Sequence, residues 1–140
     1  MSEEGIGSLL EAYKTAVSTK NVHLMLSLYD ASVTVFDMWG SWVYEGREAW
    51  GGAVEEWFGS LGKDRVEVDF ERIKIKSCGD LAVFSAFVNY RGFSEAGVEL
   101  RSMKNRISWA VQRVEGEWKV LHEHSSAPAD FDTLKVIMNM

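Results

Sequence analysis

The chain has 140 residues, of which 21 are acidic and 15 are basic, so its formal net charge is −6 at pH 7. Hydrophobic residues make up 46% of the chain, which excludes the weakly hydrophobic, highly charged compositions of disordered proteins. Because excess negative charge opposes a phosphate backbone, we expect no nucleic-acid partner.

No segment approaches the roughly 18 uninterrupted apolar residues of a membrane-spanning helix, and no signal-peptide pattern is visible. We therefore expect one cytoplasmic domain over residues 1–140, with a core from about 6 to 128, a tail from 129 to 140 and no membrane partner. Cys78 is the sole cysteine, which excludes a disulfide framework. Because nucleotide-binding and common hydrolase motifs are missing, we expect no cofactor.

Helical periodicity predicts three helices in the first half of the chain. The apolar positions of the first are Ile6, Leu9, Leu10, Tyr13 and Val17. Asn21 is a typical N-cap for a second helix, whose apolar positions are Val22, Met25, Leu26 and Tyr29. The third runs from residue 47 to about 61, and its buried face comprises Trp50, Val54, Trp57, Phe58 and Leu61. Gly51 and Gly52 inside it indicate close packing against another backbone.

Strand patterns occupy the remaining sequence. Residues 32–36 predict a strand that ends at Asp37, and residues 38–44 predict a turn with a short returning strand. After Gly62 the strand patterns cover residues 66–75, 81–90, 99–114 and 118–126, with a phase slip near Glu71 and Arg72 that indicates a β-bulge. This order predicts an α+β fold in which three helices precede a long antiparallel meander.

The last strand follows a Glu115-Gly116 turn and has two distinct faces. Strict alternation places Trp118, Val120, His122 and His124 on one face, and Lys119, Leu121, Glu123 and Ser125 on the other. The two imidazoles could join Asp37 or Glu123 in a metal site. The strand itself offers only two ligands on one face, fewer than zinc requires, so we expect no metal and interpret the histidines as buried or interfacial.

The 81–90 strand is apolar on both faces, which indicates that both sides of the sheet are covered. Helices account for one side, and a second copy of the chain would account for the other. We therefore expect a homodimer through the sheet. Asp130 is a candidate cap for a terminal helix in the tail, with apolar positions at Phe131, Leu134, Ile137 and Met138.

The element order, with Asp37 after the first strand and Gly116-x-Trp118 before the last, resembles the cone-shaped nuclear transport factor 2-like (cystatin-like) fold. Within that fold the chain resembles SnoaL-like proteins and ketosteroid isomerase from about Leu9 to Pro128. Tyr13 and Asp37 have the separation of the isomerase's oxyanion-stabilising tyrosine and proton-shuttling aspartate. The resemblance implies those roles for them, and it places Ser108 where the isomerase has a second oxyanion donor.

The last strand, from Gly116 to Pro128, is similar to the end of the association domain of calcium/calmodulin-dependent protein kinase II, which assembles rings and has no established catalysis. This similarity implies that Glu123 and Ser125 face the cone, with Glu123 near Arg101 or Arg106. The positions that match the carboxylate-binding arginines of that domain are Val88, Trp109 and Ser125.

Two kinds of function remain open. Asp37 lies among apolar neighbours that would raise the pKa of a general base, although aspartate also commonly closes a turn. Tyr13 is either a pocket donor or an ordinary core tyrosine. Trp39, Trp57 and Trp109 are candidate walls for a small, mostly apolar ligand. The alternatives are a cofactor-independent isomerase, cyclase or dehydratase, and a non-catalytic binding or oligomerisation domain. A closed, side-chain-filled cone favours an oligomerisation scaffold, whereas an open pocket with Tyr13 and Asp37 facing each other favours an enzyme or a ligand binder.

Overall fold

The computed structural model describes residues 2–139, with side chains from residue 5 onward. Within these residues the helices are α1 Ser2–Ser18, α2 Val22–Ser27 and α3 Arg47–Ser60. The strands are β1 Tyr29–Phe36, β2 Tyr44–Glu45, β3 Arg65–Cys78, β4 Leu81–Phe93, β5 Glu99–Val114 and β6 Glu117–Ser126. They form one sheet in the order β2-β1-β6-β5-β4-β3, which confirms the predicted α+β architecture.

The sheet is antiparallel except where β1 and β6 pair in parallel. The predicted meander from β3 to β6 is confirmed. The parallel pair departs from the expectation of a wholly antiparallel sheet. It is possible because α3 and four strands separate β1 from β6 in the chain, and parallel neighbours require a long crossover connection.

The short helix α2 begins where the sequence predicted and ends before Tyr29, the last residue predicted for it. The side chain of Asn21 caps it by accepting a hydrogen bond from the Leu24 N–H at 3.0 Å. Tyr29, predicted on this helix, instead opens β1, because the Leu28 carbonyl accepts a hydrogen bond from the Val120 N–H and draws the chain into the sheet.

The glycine pair of α3 has one tightly packed member. A Cβ on Gly51 would lie 2.9 Å from Cδ1 of Leu26, whereas one on Gly52 would have no neighbour within 4 Å. The close approach at Gly51 is therefore to a side chain of α2, not to the backbone expected from the sequence. Of the predicted buried face of α3, Trp57 is only partly buried.

Two bulges set the faces of the sheet. The one near Glu71 is confirmed by a register shift before Lys74 and by Arg72, whose φ is 53°. The second lies in β6, where His122 pairs with Ala110 and Val120 pairs with Val111, so Leu121 is an extra residue.

The β6 bulge corrects the strict alternation predicted for the last strand. The side chains of β6 that are buried on the inner, helix-covered face are Trp118, Val120, Glu123 and Ser125. The exposed His124 lies on the outer face, together with His122. The expectation that both histidines share a face with Trp118 was therefore wrong.

The tail is not the predicted helix. Oδ1 of Asp130 accepts hydrogen bonds from the N–H groups of Asp132 and Thr133, which caps a turn instead. Beyond the turn the chain runs back, and the Met138 carbonyl accepts a hydrogen bond from the Lys104 N–H of β5. Among residues 2–139, no helix has the length and apolar character needed to cross a membrane.

Candidate functional site

The centre of the cone holds a buried carboxyl group, Glu123, whose side chain is 2% exposed. Its Oε1 accepts hydrogen bonds from the Tyr29 hydroxyl at 2.5 Å and from Nε1 of Trp109 at 2.9 Å. Burial raises the pKa of Glu123 to about 7, although both hydrogen bonds favour the charged form and oppose that rise. The group can therefore hold or release a proton near neutral pH.

The strand order explains how these three groups meet. Glu123 lies on β6 with Trp109 directly across the ladder on β5, and Val35 of β1 pairs with it on the other side. Tyr29 belongs to that same β1 strand. Both donors reach Oε1, one from each neighbouring strand.

A second carboxyl group, Asp37, follows β1 directly and is partly buried. Its Oδ1 accepts a hydrogen bond from the Ser125 hydroxyl at 3.1 Å, and its Oδ2 accepts one from the Trp39 N–H at 3.2 Å. The Met38 N–H in turn donates to Oγ of Ser125 at 3.0 Å. Burial raises the pKa of Asp37, and these hydrogen bonds fix the orientation of its carboxylate.

Two tyrosines lie beside the carboxyl groups. The hydroxyls of Tyr13 and Tyr90 are 3.0 Å apart and share a hydrogen bond. Burial raises the pKa of Tyr90, and the negative charges of Glu123 and Asp37 raise it further. Within the described part of the chain, Tyr13 has no hydrogen bond to Asp37, and its hydroxyl pairs with Tyr90 instead.

The structure groups five of the predicted site residues on the inner surface of the cone. They are Tyr13, Val88, Trp109, Glu123 and Ser125, each of them buried. Trp57 is partly buried, and the centre of its ring lies 6.2 Å from that of Tyr90. Trp39 is 51% exposed. Met38, one of the apolar neighbours of Asp37, is partly buried.

Two expectations require correction. Ser108 is exposed on the outer face of β5, because alternation that buries Ile107 and Trp109 turns it away from the cone. It therefore cannot donate beside Tyr13. Arg106 lies on that same outer face, where its Nε donates to Oγ of Ser126 at 3.2 Å, and the partners of Glu123 are Tyr29 and Trp109 instead.

Sequence reasoning missed three members of the site: Tyr29, Tyr90 and Asn105. Tyr29 was assigned to a helix. Tyr90 continues the inward positions of β4, after Ala86 and Val88. Asn105 likewise continues the inward positions of β5. Aligning the inward positions of the strands would have identified both.

The cone is closed around these groups. Tyr13, Val88, Trp109 and Glu123 are each 4% exposed or less. The filled interior matches the condition that favours an oligomerisation scaffold. The buried carboxyl group and its hydroxyl partners favour chemistry, because ionisable groups are costly to bury without a role.

The histidines of β6 lie outside this site. Nδ1 of His122 is 2.9 Å from the Thr34 carbonyl oxygen, and the ring of Phe36 packs edge-on against His122 and His124. Within residues 2–139, no group of three or more His, Cys, Asp or Glu side chains is placed to hold a metal ion.

Solved structures share this fold. An NTF2-like protein of unknown function from Pseudomonas putida KT2440 is 23% identical, with a TM-score of 0.85 over 99% of this chain and 95% of that one. A provisionally named dehydratase of the NTF2-like family from Streptomyces avermitilis is 16% identical, with a TM-score of 0.76 over 91% of this chain and 97% of that one. The fold is therefore the cone-shaped NTF2-like fold that the sequence predicted.

A further similar structure is a provisionally named calcium/calmodulin-dependent protein kinase II association domain from Xanthomonas campestris. It is 19% identical, with a TM-score of 0.70 over 88% of this chain and 85% of that one. The family model of the SnoaL-like domain matches residues 6–130, so the chain belongs to the SnoaL-like family. No curated protein sequence matches.

Proposed function

We propose that this SnoaL-like protein binds a small, mostly apolar molecule in its cone and moves protons on it without a cofactor. The reaction class is isomerisation, cyclisation or dehydration next to a carbonyl. The observation that carries the proposal is Glu123, a buried carboxyl group with a pKa of about 7 held between two donors. A scaffold gains nothing from such a group, because an apolar side chain would fill the same space more favourably.

The two carboxyl groups suit different roles in proton transfer. Asp37 lies nearer the surface, and its hydrogen bonds from Ser125 and the Trp39 N–H favour the charged form, so it serves as the base. Glu123 lies deeper, and its pKa of about 7 allows it to serve as the acid. Two carboxyl groups in different environments are a recurrent arrangement for acid/base catalysis.

The tyrosine pair supplies the oxyanion donor. Tyr13 and Tyr90 share one hydrogen bond, so one of the two hydroxyl protons remains free for a developing enolate oxygen. This arrangement replaces the Ser108 contribution that the ketosteroid isomerase resemblance implied. The provisional dehydratase name of the Streptomyces avermitilis structure agrees with this reaction class.

Exchange of α-protons for deuterium tests the proposal without knowledge of the natural substrate. A panel of small ketones, including cyclohexanone, is incubated with the protein in D₂O and followed by NMR. We expect catalysed exchange with the wild type and its loss in Asp37→Asn with folding intact. Asp30→Asn serves as the matched control, because Asp30 is an aspartate of β1 whose Oδ2 accepts a hydrogen bond from the Ser32 N–H. No exchange by the wild type, or full exchange by Asp37→Asn, would contradict the proposal.

A second proposal concerns assembly, and the outer face of the sheet supports it. Phe36 is 40% exposed and Val83 is 59% exposed there, beside the small residues Ser108 and Ala110. A second copy seated on this face would give a homodimer through the sheet. We expect dimer mass by light scattering, and monomer mass for Val83→Glu. Val98→Glu, at a valine that is 60% exposed in the β4–β5 turn, should remain dimeric.

A further inference from the structure

Asn105 is a buried polar residue with an unused oxygen. Its side chain is 6% exposed, and its Oδ1 has no hydrogen-bond partner. The only other side-chain N or O atom in this condition within the described residues is Nε1 of Trp50. A buried acceptor without a donor costs free energy that an apolar side chain of the same size would avoid. The amide therefore calls for an explanation from function.

The amide lies at the approach to Asp37. Its Nδ2 donates weakly to Sδ of Met38 at 3.5 Å, and Met38 is the residue directly after Asp37. On its own strand the next inward residue is Ile107, which pairs across the ladder with Ser125, the partner of Asp37. One end of the amide thus contacts the Asp37 segment.

The amide also lies near Tyr90, the next inward residue of β4 after Val88, which pairs with Asn105 across the ladder. Burial raises the pKa of Tyr90 overall, and the amide of Asn105 is close enough to lower it in part. Asn105 therefore lies between the proposed base and the proposed oxyanion donors. A molecule that contacts both would pass along its side chain.

We propose that Oδ1 of Asn105 accepts a hydrogen bond from the ligand, which must then carry a hydroxyl or N–H donor on its apolar frame. The inference rests on the proposed function in one respect, that the cone admits a small molecule. It narrows the ligand class from apolar carbonyl compounds in general to hydroxylated or amino-substituted ones. A site with a buried acceptor rejects analogues that lack the donor, because the acceptor then stays unpaired.

Binding of a matched pair of probes tests the inference. Cyclohexanol and cyclohexanone have the same ring, and only the alcohol has a donor. Dissociation constants come from ¹H–¹⁵N NMR titrations that follow the amides of residues 37, 38 and 105. We expect Asn105→Leu to weaken cyclohexanol binding fivefold or more and to change cyclohexanone binding less than twofold. Ile107→Leu, the apolar neighbour on the same face, should weaken neither probe selectively.

The outcomes separate this inference from the proposed function. Equal effects on both probes, or no effect, would overturn the role of Asn105 while ketone exchange could still occur. Failure of cyclohexanol alone to bind the wild type would overturn the role of Asn105, and failure of both probes would overturn both ideas. Thermal unfolding gives an independent readout: Asn105→Leu should raise the Tm because the unpaired acceptor is removed. A lower Tm for both Asn105→Leu and Asn105→Ala would indicate a structural amide and overturn the inference.

Discussion

Tyr29 and Glu123 are 94 residues apart in the chain and are joined by a direct hydrogen bond in the interior of the cone. The bond links the start of β1 to the bulged half of β6. It is possible because these two strands are parallel neighbours in the sheet. The stability of the fold and the protonation of its central carboxyl group are therefore coupled.

Stability should fall as the pH rises toward 8. The pKa of Glu123 is about 7 in the folded state, compared with 4.5 for an unperturbed group. Between pH 4.5 and pH 7, the folded state therefore holds a proton that the unfolded state has lost. The stabilisation is fully present below pH 4.5 and is lost as pH rises through 7, on the order of 3 kcal/mol in all. Urea unfolding at pH 5 and pH 8 measures it. Glu123→Gln should reduce this pH dependence, whereas Glu117→Gln, exposed on the same strand, should retain it.

Removal of the Tyr29 hydroxyl should destabilise the protein and shift the titration of Glu123. Tyr29→Phe deletes a donor to a buried carboxyl group, at a cost of about 1–3 kcal/mol. Because that hydrogen bond lowers the pKa of Glu123, its loss should raise the pKa further. Tyr44→Phe is the control, since Tyr44 also packs against Trp50 but does not contact Glu123. Equal unfolding free energies for the two variants would argue against the hydrogen bond.

Removal of the Ser125 hydroxyl should shift the pH profile of any proton-transfer activity. The hydrogen bond from Ser125 lowers the pKa of Asp37, so Ser125→Ala should raise that pKa above its already raised value. If Asp37 is the base, the acid limb of the ketone-exchange profile moves to higher pH. Ser126→Ala, whose hydroxyl accepts from Arg106 on the outer face, should leave the profile in place. An unchanged profile in Ser125→Ala would mean that Asp37 does not control the rate.

Two glycines of α1 should respond oppositely to alanine. A Cβ on Gly5 would overlap Cδ1 of Trp118, whereas one on Gly7 would have no neighbour within 4 Å. Gly5→Ala should lower the free energy of unfolding, because the helix must move away from the indole. Gly7→Ala should raise it by up to about 1 kcal/mol through helix propensity. Thermal unfolding of both variants measures the contrast, and a stabilised Gly5→Ala would contradict the close approach.

Much of the fold could be predicted because each element has a strong local pattern. The cap at Asn21, the phase slip near Glu71 and the alternation of β4 all act over a few residues. The parallel pairing of β1 with β6 could not be derived from such patterns, since it depends on packing between distant segments.

The candidate site was predictable only in part, because one bulge changes which side chains face inward. Leu121 carries no glycine or proline signal, and either phase of the strand looked reasonable. The consequence was an incorrect face for His122 and His124. The error at Ser108 was avoidable, since the buried alternation of Ile107 and Trp109 already turns it outward.

The central position of β6 also has a consequence for folding. Of the six described strands, β6 is synthesised last, yet it pairs with β1 on one side and with β5 on the other. Until it inserts, the nascent chain has two incomplete sheets with open edges, which are prone to intermolecular pairing. Cooperative folding must therefore wait for the final strand, and chains truncated before Glu117 should aggregate during synthesis.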